Sequence, residues 1–503
     1  MGIEKRALSG TVSGSVGFGV TLLQSVVAVP FLLSWWGTEN YGLWLVFGSI
    51  TSLLATLDTG HQNYLGNAFN QDYPKGEHVL KQRLGSGLRV ALLLGGAQVI
   101  IAAILVATGT LSSLLQIAPD SIKTQKIDWA FLSMVLNWAV FGSVAGILVR
   151  LYPPYGLYAK SQWIGILQRF VEFAMLVGVA AFGGFLFEYS LVYWAFSLTF
   201  AAIWFPAIKR EFPQMYPWWT DGSWKQAWEN LLRSSVLTAN GFITQFSMSG
   251  LNLIIAAQID AATIPLFTTV RTLANTFSQA ANILTAPLRP DIVRFHVQGD
   301  FDKLVQTFRA CWLVSGSVIN IGLVVVIPFI PILYTVWTRG KLEFNPVLFA
   351  MLALSVSIRT AYAPLAAYVT GMNRLQAQSV INTTQAALTI GMPLLLGAVW
   401  GLNAFGFGIL VGELAAAAGF AWFSARDLGH NLFGFAKMLL ISAVLPSAIV
   451  GTTLFLGLQK SEWALAASAI AAAILVVLYI RHWCSLPADL QNRFLKLIPI
   501  YKK

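Results

Sequence analysis

Residues 11–36 read TVSGSVGFGVTLLQSVVAVPFLLSWW, and residues 41–67 read YGLWLVFGSITSLLATLDTGHQNYLGN after the four residues GTEN. Each run exceeds the roughly 20 mostly apolar residues that an α-helix needs to cross a bilayer. A chain in lipid must satisfy its backbone polar groups internally, and these runs are too long for barrel strands, so each predicts a transmembrane helix. We expect residues 37–40 to form the turn of a helical hairpin.

Similar apolar runs recur along the rest of the chain. Of its 503 residues, 56% are hydrophobic and only 11% are charged, and the mean hydropathy is +0.68. An ordinary soluble chain is about a quarter charged, so this composition excludes a soluble enzyme and a disordered protein. We predict an all-α polytopic membrane protein of about 14 transmembrane helices, the other twelve near residues 88–111, 129–152, 163–187, 191–208, 234–258, 261–288, 308–337, 347–371, 375–400, 403–424, 435–459 and 463–480.

The net charge of +11 is best explained by membrane topology. Lys and Arg are dispersed between the apolar segments, whereas a nucleic-acid-binding protein clusters them on one face, so we expect no nucleic-acid partner. Placing the N-terminus inside leaves few basic residues on the opposite side, namely Lys123, Lys126, Arg339, Lys341 and Lys460. Because short cytoplasmic loops retain Lys and Arg, both termini are predicted to be cytoplasmic.

The connecting loops are short. The longest, 112–128 and 209–233, have no room for a folded catalytic domain, so we predict a membrane transporter without catalytic residues. The only two cysteines, Cys311 and Cys484, make a disulfide framework or a cysteine-rich metal site improbable. We expect no cofactor and no metal site.

A weak internal repeat suggests two lobes. An offset of 224 residues relates Gly17-Phe18 to Gly241-Phe242, each inside a predicted helix that then turns back. Transporters are commonly built from such repeats and bind substrate between them. We predict two pseudo-symmetric six-helix lobes, residues 1–210 and 211–430, followed by two additional helices and a short cytoplasmic tail in residues 431–503.

The eighth segment has a polar face and an apolar face. At about 100° per residue its polar side chains fall within an arc of roughly 120°. Two interpretations are open, a water-filled cavity or a polar stripe bonded to neighbouring helices. The eleventh segment repeats the pattern more weakly with Gln378 and Asn382. The polar residues of the eighth segment are Thr268, Arg271, Thr272, Asn275, Ser278, Gln279 and Asn282.

Two arginines lie deep in predicted helices. Arg359 is some 13 residues from the outer end of its segment, which at ~1.5 Å per residue is near mid-membrane, and Arg271 is similarly deep. An arginine there costs at least ~2.5–3.5 kcal/mol and needs a partner. Either Glu413 neutralises Arg359 in a structural ion pair, or Arg271 and Arg359 converge on an anionic ligand.

Acidic residues in the segments are candidates for ion coupling. Asp58 could be a protonatable coupling group, because desolvation raises a carboxyl pKa, or it could be held by a hydrogen bond inside the bundle. Glu413 is the second possible coupling residue. His61 is expected to be structural, and Arg169 with Glu172 is expected to form a local pair at i,i+3.

The first two helices resemble those of the polysaccharide-transport flippases. The resemblance rests on GFGV at residues 17–20, VPFL at 29–32, WGTENYGLW at 36–44 and LDTG at 57–60. These flippases belong to the multidrug/oligosaccharidyl-lipid/polysaccharide exporter superfamily. The resemblance implies a flippase that moves an undecaprenyl-diphosphate-linked oligosaccharide, such as an O-antigen or exopolysaccharide repeat unit, across a bacterial inner membrane. It also implies a coupling ion, proton or sodium, and polysaccharide polymerase and glycosyltransferases as partners.

By position alone, the cationic cavity of that family maps onto Arg271 and Arg359. We predict that these arginines hold the lipid diphosphate. The sugar would then meet neutral polar side chains, namely Thr268, Asn275, Gln279, Gln378 and Asn382. A cation-coupled multidrug exporter of the same superfamily is the alternative, although it would more naturally use acidic cavity residues. A membrane-embedded polysaccharide polymerase or ligase is less favoured, because it should have a large external loop.

Overall fold

The computed structural model describes residues 3–118, 121–285, 289–372, 374–428, 432–459 and 461–487, together with Gln491. The chain is 90% helical, and no strand occurs in these ranges. Fourteen long helices, labelled α1–α14 below, account for the architecture. The prediction of an all-α membrane protein of about 14 helices is therefore confirmed. Most of the predicted C-terminal tail lies outside the described residues.

The first two helices meet at the predicted turn. The helical segment Ile3–Asp72 is broken at Gly37, whose φ of 72° and ψ of −176° lie outside the helical region. This break separates α1 (3–36) from α2 (38–72). Glycine adopts a positive φ without the Cβ clash that penalises other residues.

Contacts divide the chain into two compact units, Met1–Pro265 and Leu266–Lys503. The first unit continues after α2 with α3 (Glu77–Ala107), α4 (Ile122–Leu151), α5 (Tyr158–Ala181), α6 (Leu186–Glu211) and α7 (Trp224–Gln258). Helix α7 packs on α2, because a Cβ at Gly60 would overlap Thr238 and Asn252 Nδ2 donates to Ser49 Oγ at 3.0 Å. The pseudo-symmetric division after residue 210 stays a prediction.

The second unit contains the remaining helices. Helix α8 (Ile264–Thr285) leads into the short helix Arg289–Val297. It is followed by α9 (Phe301–Trp337), α10 (Pro346–Gly371), α11 (Leu375–Trp400), α12 (Leu402–Leu428), α13 (432–459) and α14 (Ser461–Cys484).

Eleven of the described helical segments are long and apolar enough to cross a membrane, with α1 and α2 counted as one. Helices α7 and α8 are not among the eleven. Their polar side chains, including Arg271 in α8, lower the apolar character of the segment. Helix α7 also begins at Trp224, ten residues before the predicted start at residue 234, because the Ser223 side chain accepts a hydrogen bond from Gln226 N and caps it.

Small residues bring α11 and α12 close together. A Cβ at Gly408 would meet Pro393, one at Gly412 would overlap Thr389, and one at Gly419 would lie 2.9 Å from Ile381. Because helices in lipid associate through close packing, such small residues are what allow two backbones to approach.

A buried polar network joins the last two helices, α13 and α14, to α9 and α10. Asn320, in a π-helical turn of α9, donates from Nδ2 to the Tyr479 hydroxyl of α14 at 2.8 Å. Ser357 of α10 donates to Asn320 Oδ1 at 2.7 Å and lies 2.9 Å from Ser447 Oγ of α13. Buried polar groups in an apolar medium need such partners, so the network fixes the packing of four helices.

Candidate functional site

Burial varies around helix α8. Phe267, Val270 and Ala274 are fully buried at helical spacing, whereas the polar residues Thr268 and Asn275 are half-buried. Leu266 and Leu273 are half-buried as well, so the division into a polar and an apolar face stays a prediction. The side chain of Gln279 lies outside the described residues.

Arg271 is half-buried and belongs to the predicted polar face of α8. Its guanidinium carbon lies 5.9 Å from the centre of the Phe267 ring, and Asn275 Nδ2 donates to its carbonyl oxygen at 2.9 Å. Arg271 also lies within electrostatic range of Arg359 and Glu413. The fold thus brings the two predicted arginines into one cluster.

Arg359 of α10 is paired with Glu413 of α12. Arg359 Nε donates to Glu413 Oε1 at 2.9 Å, and Nη2 donates to the same oxygen. The Tyr362 hydroxyl, one turn along α10, donates to Oε2 at 2.5 Å. Of the two interpretations of Arg359, the ion pair with Glu413 is present in the structure.

Burial is unequal within this pair. The Glu413 side chain is 2% exposed, whereas that of Arg359 is 38% exposed. Glu413 is thus enclosed by its partners, and Arg359 keeps a face that solvent or a ligand can reach. The cluster of Arg271, Arg359 and Glu413 thus combines two guanidinium groups with one carboxylate.

Arg359 also lines a cavity of about 50 Å³ inside the second unit. Hydroxyl groups of Ser278, Ser315 and Thr360 share the lining, together with apolar side chains. This volume has room for a few water molecules and none for a sugar ring. The cavity therefore gives water access to Arg359, and a bulky ligand would require the surrounding helices to move.

The other residues predicted to meet a sugar lie on α11. Gln378 and Asn382 are half-buried there. Gln385, one turn further along the same helix, lies beside the Tyr362 hydroxyl and so borders the arginine cluster. Tyr362 was not among the predicted site residues, although its i,i+3 spacing from Arg359 places both on one helical face.

Asp58 of α2 sits in a separate polar chain in the first unit. Its side chain is fully buried, and Gln62 Nε2 donates to Oδ2 at 2.6 Å. Arg150 Nη1 of α4 donates in turn to Gln62 Oε1 at 2.8 Å. The sequence did not predict this link, because it joins residues of two different helices.

His61 and Glu172 both have hydrogen-bond partners within the first unit. The His61 ring nitrogens lie 3.3 Å from Ser234 Oγ and 3.2 Å from the Gly87 carbonyl oxygen, as a structural role requires. Glu172 Oε1 accepts from Gln168 Nε2 at 2.9 Å and from the Tyr193 hydroxyl at 3.4 Å. Glu172 therefore takes hydrogen-bond partners other than the predicted Arg169.

Several solved structures share this fold. The chain superposes on an inward-facing multidrug resistance MATE family transporter of the MOP superfamily with a TM-score of 0.59, at 12% identity over 83% of this chain and 96% of the other. A Vibrio cholerae MATE transporter gives a TM-score of 0.54 at 17% identity, with 84% and 99% of the two chains covered.

Lipid II flippase MurJ, in an inward closed conformation, gives a TM-score of 0.56 at 12% identity, with 94% of this chain and 98% of the other covered. At such identities these likenesses show a common fold. No protein-family model matches the sequence. No curated protein matches it either.

Proposed function

We propose that this protein is a non-enzymatic flippase for an undecaprenyl-diphosphate-linked oligosaccharide. It would move an O-antigen or exopolysaccharide repeat unit from the cytoplasmic to the outer leaflet of a bacterial inner membrane by alternating access. The observation that carries the proposal is the cluster of Arg271, Arg359 and Glu413, in which the Arg359 guanidinium stays reachable by solvent. The fold shared with a protein described as a lipid II flippase supports it.

The chemistry of the diphosphate accounts for the arginines. A diphosphate that crosses a hydrocarbon layer must exchange its hydration for other strong donors. Guanidinium groups supply charge-assisted and bidentate hydrogen bonds, which are the strongest that side chains offer at neutral pH. Arg271 and Arg359 are the groups we assign to the diphosphate.

Glu413 makes the binding reversible. In the absence of an anion, Glu413 forms an ion pair with Arg359. Two opposite charges 4 Å apart attract each other by about 4 kcal/mol at an effective dielectric constant of 20. A bound diphosphate must offset this attraction, so its net affinity stays moderate and release remains possible. Glu413 is therefore also our candidate for ion coupling.

The oligosaccharide would be met by neutral polar groups. Thr268, Asn275, Gln279, Gln378 and Asn382 offer hydroxyl and amide groups that can both donate and accept hydrogen bonds. Such bonds are individually modest, which suits a substrate that must be released. Asp58, fully buried and bonded to Gln62, is the second candidate for coupling to a proton or a sodium ion.

The topology and partners of the flippase follow from this assignment. Both termini and the 209–233 segment would face the cytoplasm, where the lipid-linked unit is assembled. Glycosyltransferases would supply the substrate on that side, and a polysaccharide polymerase would consume it on the other. No nucleic acid takes part.

A cation-coupled multidrug exporter is the second candidate function. The fold shared with MATE transporters favours it, as do the buried carboxylates Asp58 and Glu413. The sign of the substrate charge separates the two candidates. Two guanidinium groups in one cluster would repel a cationic drug and attract an anionic lipid diphosphate.

The test is transport in reconstituted vesicles. Vesicles containing the protein and an undecaprenyl-diphosphate-linked oligosaccharide are assayed for movement of the sugar to the opposite leaflet with an impermeant lectin. We expect movement with the wild type, none with Arg271→Ala, and normal movement with Arg426→Ala, an exposed arginine on α12. Normal movement with Arg271→Ala, or efflux of a cationic dye without sugar movement, would reject the proposal.

A further inference from the structure

The first unit contains a second cavity, of about 340 Å³, whose described lining residues come from α2, α3, α4, α5 and α6. Its volume falls in the range of small-molecule pockets, about 300–1,000 Å³. None of its described lining residues is assigned above to the transported lipid. The cavity is therefore a candidate site for a ligand of its own.

Glu172 of α5 supplies a carboxylate to the lining. It lies nine residues before Ala181, the last residue of α5, which is ~14 Å along the helix at 1.5 Å per residue. The Glu172 side chain is half-buried, so it stays accessible. Because an ionisable group inside a membrane span is costly, such a residue is a candidate for function by default.

The hydrogen bonds of Glu172 leave one carboxylate oxygen available. Gln168 Nε2 and the Tyr193 hydroxyl both donate to Oε1, at 2.9 Å and 3.4 Å. Both donors are neutral, and Oε2 accepts no hydrogen bond from the residues that the structure describes. Arg169 lies within electrostatic range but forms no ion pair with Glu172 in that part of the chain. The carboxylate therefore offers a ligand a free oxygen and a negative charge that is only partly compensated.

Aromatic rings share the lining with this carboxylate. The Trp44 and Tyr189 ring centres lie 5.1 Å apart with an angle of 89° between the ring planes, so the two rings form a corner. Tyr193 stacks on Tyr189 at 6.0 Å, and Trp44 and Tyr193 are half-buried and therefore accessible. The faces of Trp and Tyr rings attract cations, and groups of such rings bind quaternary ammonium ligands.

The lining selects the charge and the type of the ligand. It contains no Lys or Arg among the described residues, so an anion is unsuited. Gln98 Oε1 and Trp138 Nε1 are inaccessible to solvent, so they do not recognise a neutral hydroxyl compound. An inorganic cation such as Ca²⁺ prefers six or more oxygen ligands, whereas this lining has one carboxylate among mostly aromatic and apolar side chains. An organic ammonium ion fits both features, because its charge suits the carboxylate and its apolar substituents suit the rings.

We propose that this cavity is a binding site for an organic ammonium group. The cationic centre would lie beside Glu172 Oε2, and its substituents would pack on Trp44, Tyr189 and Tyr193. The site is inferred from the first unit alone and does not rest on the proposed function. The ammonium group could belong to a free compound or to a lipid headgroup, and the experiment below distinguishes these sources.

The test is direct binding to the full-length protein in dodecyl maltoside micelles, which contain no ammonium group, measured by saturation-transfer NMR. The probes are choline and neohexanol, the uncharged carbon isostere of choline. We expect saturable binding of choline, and binding of neohexanol at least about tenfold weaker, because the alcohol loses the attraction of both the carboxylate and the rings. Competition by added phosphatidylcholine would assign the site to a lipid headgroup, and its absence would assign the site to a free ammonium compound.

Two variants test the site itself. Glu172→Gln keeps the shape of the side chain and removes its charge, so it should weaken choline binding by about tenfold or more. Glu229→Gln, an exposed glutamate on α7, is the matched control and should leave choline binding unchanged. Gly48 of α2 lines the cavity, and a Cβ built there meets nothing within 4 Å. Gly48→Leu should therefore fold and should block choline binding.

Three results would overturn the proposal. They are no saturable binding of choline, equal binding of choline and neohexanol, and unchanged choline binding in both Glu172→Gln and Gly48→Leu. Arg271→Ala should leave choline binding intact, because Arg271 belongs to the second unit. A failure of this proposal is thereby separated from a failure of the transport proposal.

Discussion

Removing either member of the Arg359–Glu413 pair should have very unequal effects on stability. Arg359→Met would leave a carboxylate that is 2% exposed, with the Tyr362 hydroxyl as its remaining hydrogen-bond donor among the described residues and Arg271 within electrostatic range. Breaking a buried pair costs about 3–5 kcal/mol when the remaining charge is uncompensated, and Arg271 partly compensates this one, so we expect the free energy of unfolding to fall by about 3 kcal/mol. Glu413→Gln keeps an oxygen that accepts a hydrogen bond from Arg359, and water can hydrate the Arg359 guanidinium, which is 38% exposed. We therefore expect this variant to lower the free energy of unfolding by only about 1 kcal/mol.

The double variant completes the argument. Arg359→Met with Glu413→Gln contains no buried charge at this position, so it should be more stable than Arg359→Met alone by about 2 kcal/mol or more. The free energy of unfolding would be measured by denaturation in mixed micelles. Arg426→Ala, an exposed arginine on α12, is the control and should stay within about 0.5 kcal/mol of the wild type.

The same double variant tells the two roles of Arg359 apart. If Arg359 binds the diphosphate, the double variant regains stability and still fails to transport the lipid-linked oligosaccharide. If Arg359 serves only to neutralise Glu413, transport returns together with stability. Equal costs for the two single variants, or a double variant no more stable than Arg359→Met, would refute the asymmetry that we derive from burial.

Three further outcomes are expected. Arg271→Lys should restore only part of the transport lost in Arg271→Ala, measured at matched membrane abundance, because an ammonium lacks the bidentate fork; full rescue would mean that charge alone suffices. Gly412→Ala should lower the free energy of unfolding by about 1–3 kcal/mol, because its Cβ would overlap Thr389. Gly391→Ala on α11, whose Cβ would meet nothing within 4 Å, should be neutral or stabilising. Similar values for the two variants would contradict the packing of α11 on α12. A cysteine at Ser223 should react with an impermeant reagent only from the cytoplasmic side, and labelling from outside would reverse the topology.

Much of the fold could be predicted from local sequence. Apolar runs of transmembrane length and the glycine at position 37 are sufficient to locate helices and the first turn, since lipid forces each segment to satisfy its own backbone hydrogen bonds. The polar arc of α8 is likewise a prediction from local sequence, because helical periodicity is a property of the segment itself. The start of α7 at Trp224 was missed because its first turns are polar and follow a serine cap.

The partners of the charged residues depended on tertiary structure. The sequence left Arg359 with two interpretations, and only the packing of α10 against α12 brought it to Glu413, 54 residues away. The chain from Arg150 through Gln62 to Asp58 likewise joins residues from different helices. Periodicity determines which face of a helix is polar. The neighbour that this face contacts is determined by the packing of the helices, which depends on side-chain volumes and on contacts between small residues along the bundle.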